Sequence, residues 1–160
     1  MKARCVLQAQ AGLAEGPHWW AEKGVLLWVD IEASRVGLFD PVARSNRFLD
    51  LPSHVGAVVP MSDGELLVAT AQGFVRLHPD SGVVSSLHDP EHDQPGNRFN
   101  DGKCDPWGRF WAGSMAYDFA SGAGSLWRVN ADFSCVRQRQ GLTISNGLAW
   151  SQDRGTLYLI

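Results

Sequence analysis

Residues 101–113 read Asp101-Gly102-Lys103-Cys104-Asp105-Pro106-Trp107-Gly108-Arg109-Phe110-Trp111-Ala112-Gly113. A short run leads into a Pro-x-Gly turn, and an apolar run leaves it, which is the signature of two strands joined tightly. The same order of a residue before Gly, a short strand, a turn glycine and a second strand recurs three more times. It runs from Glu15-Gly16 to Val29, from Val55-Gly56 to Ala69, and from Asn146-Gly147 to Leu159. The turn glycines 24, 64, 108 and 155 lie 40, 44 and 47 residues apart. A period of about 40–50 residues is that of propeller blades.

A third strand follows in the first three units, at Val36–Pro41, Gly73–Asp80 and Gly124–Asn130. Weaker fourth strands are expected at Arg47–Leu51, Val83–Leu87 and Ser134–Gln138. No segment carries the apolar spacing of a capped amphipathic helix. The connection from His88 to Phe99 is too rich in Pro and Asp to be regular. The expected fold is therefore all-β, a β-propeller of four-stranded blades, with roughly three and a half blades in residues 1–160. The fourth unit stops inside a strand-like run at Ile160, so the sequence reads as one partial domain truncated at its C-terminus. Further residues or a partner are expected to cover the open edge, and self-association through that edge is the expectation for the chain alone.

Composition narrows the function classes. Fourteen Lys and Arg against 17 Asp and Glu leave a formal charge of −3 in 160 residues, and the basic residues are scattered. A nucleic-acid surface needs clustered positive charge. The longest apolar stretch, Val25–Val29, is far short of the roughly 20 residues that span a bilayer. Lys2 and Arg4 are followed by a Gln-broken segment that does not read as a secretory leader, so a cytoplasmic setting is expected. Cys5, Cys104 and Cys135 form no C-x-x-C pair and read as spectator thiols.

In a propeller the first strand of each blade is innermost. The residues before the repeated glycine, Glu15, Val55, Asp101 and Asn146, are then neighbours near the axis, and three of them carry oxygen. Two readings stand at this point. The polar groups line a water-filled channel, or their oxygens hold a hard divalent cation such as Ca²⁺, Mg²⁺ or Mn²⁺, with Zn²⁺ or Fe²⁺ also admissible. Gly113-Ser114-Met115-Ala116-Tyr117 is no G-x-S-x-G elbow, which argues against a serine nucleophile. His88 and His92 stand in a Pro-broken loop and read as solvated, and the seven tryptophans read as packing between blades.

Four blocks carry a family resemblance: Ala14-Glu15-Gly16-Pro17, the run Asn97–Arg109, Trp111-Ala112-Gly113-Ser114-Met115, and Ile144-Ser145-Asn146-Gly147-Leu148-Ala149-Trp150. In this order they resemble the SMP-30/gluconolactonase/regucalcin family, along the whole sequence. The resemblance implies a six-bladed propeller with one divalent metal ion on its axis and, in many members, hydrolysis of sugar lactones. The sequence looks like the N-terminal half of such a domain. By the same resemblance, Glu15 and Asn146 are metal ligands and Arg98 and Asn100 contact substrate. Asp118 stands where an acidic residue, more often Glu, touches sugar hydroxyls. Asp101 is the carboxylate beside the metal that either supports its ligands from outside or directs water, and a third ligand, an Asp, is expected beyond Ile160. The implied partner is a small-molecule sugar lactone, with no nucleic acid and no membrane. The alternative is a non-catalytic calcium-binding or protein-interaction propeller. Arg98, Asn100 and Asp118 favour the enzyme, because a structural ion needs no Arg beside it.

Overall fold

The computed structural model describes residues 2–160. Every regular element among them is a strand. The first sheet comprises β1 (Ala14–Trp20), β2 (Val25–Asp30), β3 (Arg35–Asp40) and β4 (Ser45–Asp50), and the second β5 (Val55–Pro60), β6 (Leu66–Thr70), β7 (Gly73–Leu77) and β8 (Val84–His88). The third sheet comprises β9 (Asn97–Cys104), β10 (Phe110–Ala116), β11 (Gly124–Val129) and β12 (Cys135–Leu142), and a hairpin of β13 (Leu148–Trp150) and β14 (Leu157–Leu159) follows. Each sheet is an antiparallel meander in chain order. These are three propeller blades and half of a fourth, as the repeat predicts.

The turn from first to second strand is made by the repeated glycine. Gly24, Gly64 and Gly108 have φ of 65°, 85° and 82°, which a residue without Cβ adopts at no steric cost. In the fourth unit the left-handed residue is Arg154, with φ of 65°. There Asp153 Oδ1 accepts the Gly155 N–H and the Ser151 hydroxyl, an Asx-type turn that needs no glycine at that position.

Alternation along the strands decides how the blades stack. On β6, Leu66 and Val68 join Leu27, Val29 and Val36 in a core between blades one and two. Their neighbours Leu67 and Ala69 join Phe99, Phe110 and Trp127 in a second core between blades two and three. Blade two is thus covered on both faces, which is why β6 reads as an unbroken apolar run. Phe74 fills the second core, its ring centroid 4.6 Å from that of Phe99.

Buried carboxylates tie down the chain outside the strands. The Asp30 side chain is wholly buried; Oδ1 accepts the N–H groups of Gly12 and Leu13, and Oδ2 accepts Nε and Nη2 of Arg35. Asp105 repeats the device in blade three, accepting from the backbone of Trp107 and Arg109 and from the side chains of Arg109 and Trp111. Glu91 lies in the connection read from sequence as irregular and solvated, yet it is only 7% exposed. Ser114 Oγ, Trp127 Nε1 and Asn97 Nδ2 all donate to it, so this loop is pinned to blade three. His88 and His92 remain at the surface.

The tryptophans divide. Trp20, Trp28 and Trp127 are buried, whereas Trp19 and Trp107 are 52% and 60% exposed and do not seal blades together. Trp111 meets Trp150 edge-on across the gap between blade three and the hairpin.

Burial alone would raise the pKa of Asp30, but the donors from Leu13, Gly12 and Arg35 outweigh it and hold the carboxyl below its ordinary value of 3.8. A carboxyl lowered in the fold stabilises fully above that ordinary value and loses its contribution as pH falls through the folded one. Asp30→Ala is expected to cost about 3 kcal/mol by urea denaturation at neutral pH. The difference from wild type should shrink as the titration is carried down towards about pH 2.

Candidate functional site

The inner strands β1, β5, β9 and β13 stand in succession, each packed on the next. Close approach is possible because Gly56 has no side chain; a Cβ there would run into the Phe99 carbonyl. All three complete blades carry a register shift at the repeated position. It lies between Glu15 and His18 on β1, between Val55 and Ala57 on β5, and on β9 at Asn100, between Phe99 opposite Ser114 and Asp101 opposite Gly113. A bulge interrupts the strict up-down alternation and re-aims the side chains around it. Glu15, Asn100 and Asp101 therefore sit at a repeated kink in the innermost strands, whereas Asn146 lies just ahead of β13.

On β9 they are bonded to one another and to the start of the fourth unit. Arg98 Nη1 donates to Asn100 Oδ1 at 2.8 Å and to the Phe99 carbonyl at 3.1 Å. Asn100, which is buried, donates through Nδ2 to the Ser145 carbonyl at 2.9 Å. Asp101 Oδ1 accepts the Gly102 N–H at 2.8 Å, and Oδ2 accepts the Gly147 N–H at 2.9 Å. Asn146 Oδ1 approaches that same Gly147 N–H at 3.2 Å, so Asp101 and Asn146 meet there.

Glu15 is half-buried on β1 and forms no ion pair among the described residues. Its charge nevertheless acts on Arg98. Burial lowers the pKa of that guanidinium, and the charges of Tyr117, Glu15 and Glu32 oppose the shift. Asp118 stands apart from this set: it is exposed just after β10, and its Oδ1 accepts the Ala120 N–H at 3.0 Å.

Two further groups border the site that sequence reasoning did not pick out. The Tyr117 hydroxyl lies 3.0 Å from His54 Nδ1, and the Arg98 guanidinium stands 6.0 Å from the Tyr117 ring centre. Burial raises the Tyr117 pKa, and Arg98 partly offsets it. On β1, burial and then the charge of Lys103 hold the His18 imidazole below 6.5, partly offset by Glu22. Cys104 and Cys135 are pushed up to about 11 by burial, with Asp105 and Asp132 adding to it, so neither is a thiolate at neutral pH.

Among the described residues, no three or more His, Cys, Asp and Glu gather at one point. The two residues read from the sequence as ligands, Glu15 and Asn146, offer a carboxylate and an amide oxygen. Both are oxygens, the kind a hard divalent ion takes, and they would form part of its shell.

The sequence profile of the SMP-30/gluconolactonase/LRE-like region matches residues 13–160. The chain belongs to this family. It is 38% identical to the putative sugar lactone lactonase YvrE of Bacillus subtilis over 157 residues, covering 97% of this chain and 54% of that protein. It is 35% identical to the 6-deoxy-6-sulfogluconolactonase of Pseudomonas putida, covering 97% of this chain and 53% of that protein. In three dimensions it resembles the calcium-binding protein regucalcin of Agrobacterium tumefaciens, with a TM-score of 0.91, 28% identity, and coverage of 97% of this chain and 52% of that one. The chain thus spans about half the length of the curated relatives it matches.

The Tyr117 environment is open to a direct check. The difference between alkaline absorbance titrations of wild type and Tyr117→Phe isolates this phenol and should have its midpoint above 10.0.

Proposed function

We propose that the protein is a divalent-metal-dependent hydrolase of sugar lactones, acting through the channel mouth of a complete ring of blades. The observation that carries the reading is a half-buried guanidinium, Arg98, bonded to Asn100 and standing in the field of Glu15. A purely structural cation gains nothing from a positive side chain nearby. The names of the Bacillus and Pseudomonas relatives support the same substrate class.

Glu15 and Asn146 would hold the ion, one charged ligand and one neutral, a mixture that preserves positive character at the site. When bound, such an ion supplies Lewis-acid polarisation of the lactone carbonyl. Arg98 makes its protein hydrogen bonds through Nη1. Its remaining donors are then available to ring or exocyclic oxygens in a fixed fork. Asn100 holds that fork in place through Oδ1. The second oxygen of Asp118 would accept from a sugar hydroxyl, with the shorter reach of Asp limiting it to groups near the mouth. Asp101 accepts one backbone N–H on each oxygen, and each keeps a further lone-pair site. It is the base that would take the proton of the attacking water as the new C–O bond forms and return it to the ring oxygen as the ring C–O bond breaks, giving the hydroxy acid.

A second reading, a calcium-binding propeller without catalysis, is supported by the likeness to the calcium-binding regucalcin of Agrobacterium. It would use the same Glu15 and Asn146 without Arg98. In a protein whose ring of blades is complete, base consumption during incubation with gluconolactone and pentonolactones, with and without chelator, separates the two. Chelator-sensitive hydrolysis above the buffer rate is expected, and Glu15→Gln should reduce it to the chelated blank. Hydrolysis and metal content unchanged in Glu15→Gln would remove Glu15 from the site.

A further inference from the structure

Asn146 lies just ahead of a three-residue strand that, among the described residues, pairs with β14, and its own N–H and C=O pair with Ile160 at the far end of that hairpin. So short a ladder cannot by itself fix a ligand to the tolerance a metal site demands. The rest of the fixation comes from β9 and β10. Asn100 Nδ2 holds the Ser145 carbonyl, on the peptide before Asn146, and Asp101 Oδ2 holds the Gly147 N–H, on the peptide after it. Consecutive residues of one strand thus grip the two peptide planes on either side of the Asn146 Cα.

A third point of attachment is steric. Ser145 is 1% exposed, and its hydroxyl has no hydrogen-bond partner. Burying a hydroxyl unpaired costs about 1–3 kcal/mol, so hydrogen bonding does not account for its place. The side chain occupies the space over Gly113, where any Cβ would overlap Ser145 Cβ and Oγ. Gly113 is itself the ladder partner of Asp101, at the bulge. One residue earlier, Ile144 bridges to Met115, so the segment is laid along β10 before it reaches the channel.

We propose that Ser145 is a positioning residue: its side chain, seated in the socket left by Gly113, sets the height of Asn146 at the channel, while Asn100 and Asp101 fix its rotation. The inference rests on the reading of Asn146 as a ligand, and it adds the element that aligns it. It also joins the two halves of the site, because Arg98, Asn100 and the Ser145 carbonyl form one hydrogen-bonded run ending beside Asn146.

Calorimetric titration with Ca²⁺ and with Mn²⁺, together with hydrogen exchange at the Gly147 amide, tests this in a protein whose ring of blades is complete. Ser145→Ala keeps the Cβ in the socket and removes only the unpaired hydroxyl. It should match wild type in metal affinity and Gly147 protection, with an equal or higher melting temperature. Ser145→Gly empties the socket and should weaken both ions about tenfold, with faster Gly147 exchange and unchanged protection at Ala112 and Leu126. Gly113→Ala should show the same loss by collision, and Gly113→Ala combined with Ser145→Gly should recover most of it. Wild-type Gly147 protection in Ser145→Gly, or no recovery in the double variant, overturns the proposal. Asn146→Ala binding metal as tightly as wild type would instead remove the ligand reading, and the exchange data would still decide the positioning role.

Discussion

A propeller sheet has two faces, and neither can be left to water when both are apolar. In blade two this constraint is met in full: Leu66 and Val68 enter one core, and Leu67 and Ala69 enter the other. Stacking sheets face to face on both sides leaves their first strands side by side. Everything polar about the channel follows, because β1, β5 and β9 approach only as a result of that stacking. The bare backbone at Gly56 lets them come close enough.

Buried charge is used sparingly, and each instance is saturated with donors. Asp30 and Asp105 each take four, two from backbone and two from side chains. Glu91 takes three, all from uncharged groups. Such groups contribute through the cost of leaving them unmatched more than through Coulomb attraction. They anchor the segments with no ladder of their own: the stretch before β1, the turn after β9 and the connection into β9.

The candidate site differs in kind from these anchors. Glu15 forms no ion pair among the described residues, and Arg98 faces its field without a salt bridge to it. The neighbouring Asn100 and Asp101 are engaged with the backbone around Asn146. One strand therefore carries Arg98 and also holds the backbone on either side of Asn146.

The number of blades, their four-strand order and the inner-strand positions of Glu15 and Asp101, with Asn146 just ahead of the fourth inner strand, were legible in the linear chain, because a glycine every 40 to 47 residues reports a repeated turn. Arg98 and Asn100 were legible through a motif that family resemblance made readable. The pairing of Tyr117 with His54, the seating of Ser145 on Gly113 and the burial of Glu91 were not. Each joins residues from different units or from an irregular loop, and no periodicity encodes which side chains meet across a gap between sheets. The spacing of residues determined the architecture. Only the packing of one twisted blade on the next decided which polar atoms face each other, since that depends on bulge position and backbone approach to within a single Cβ.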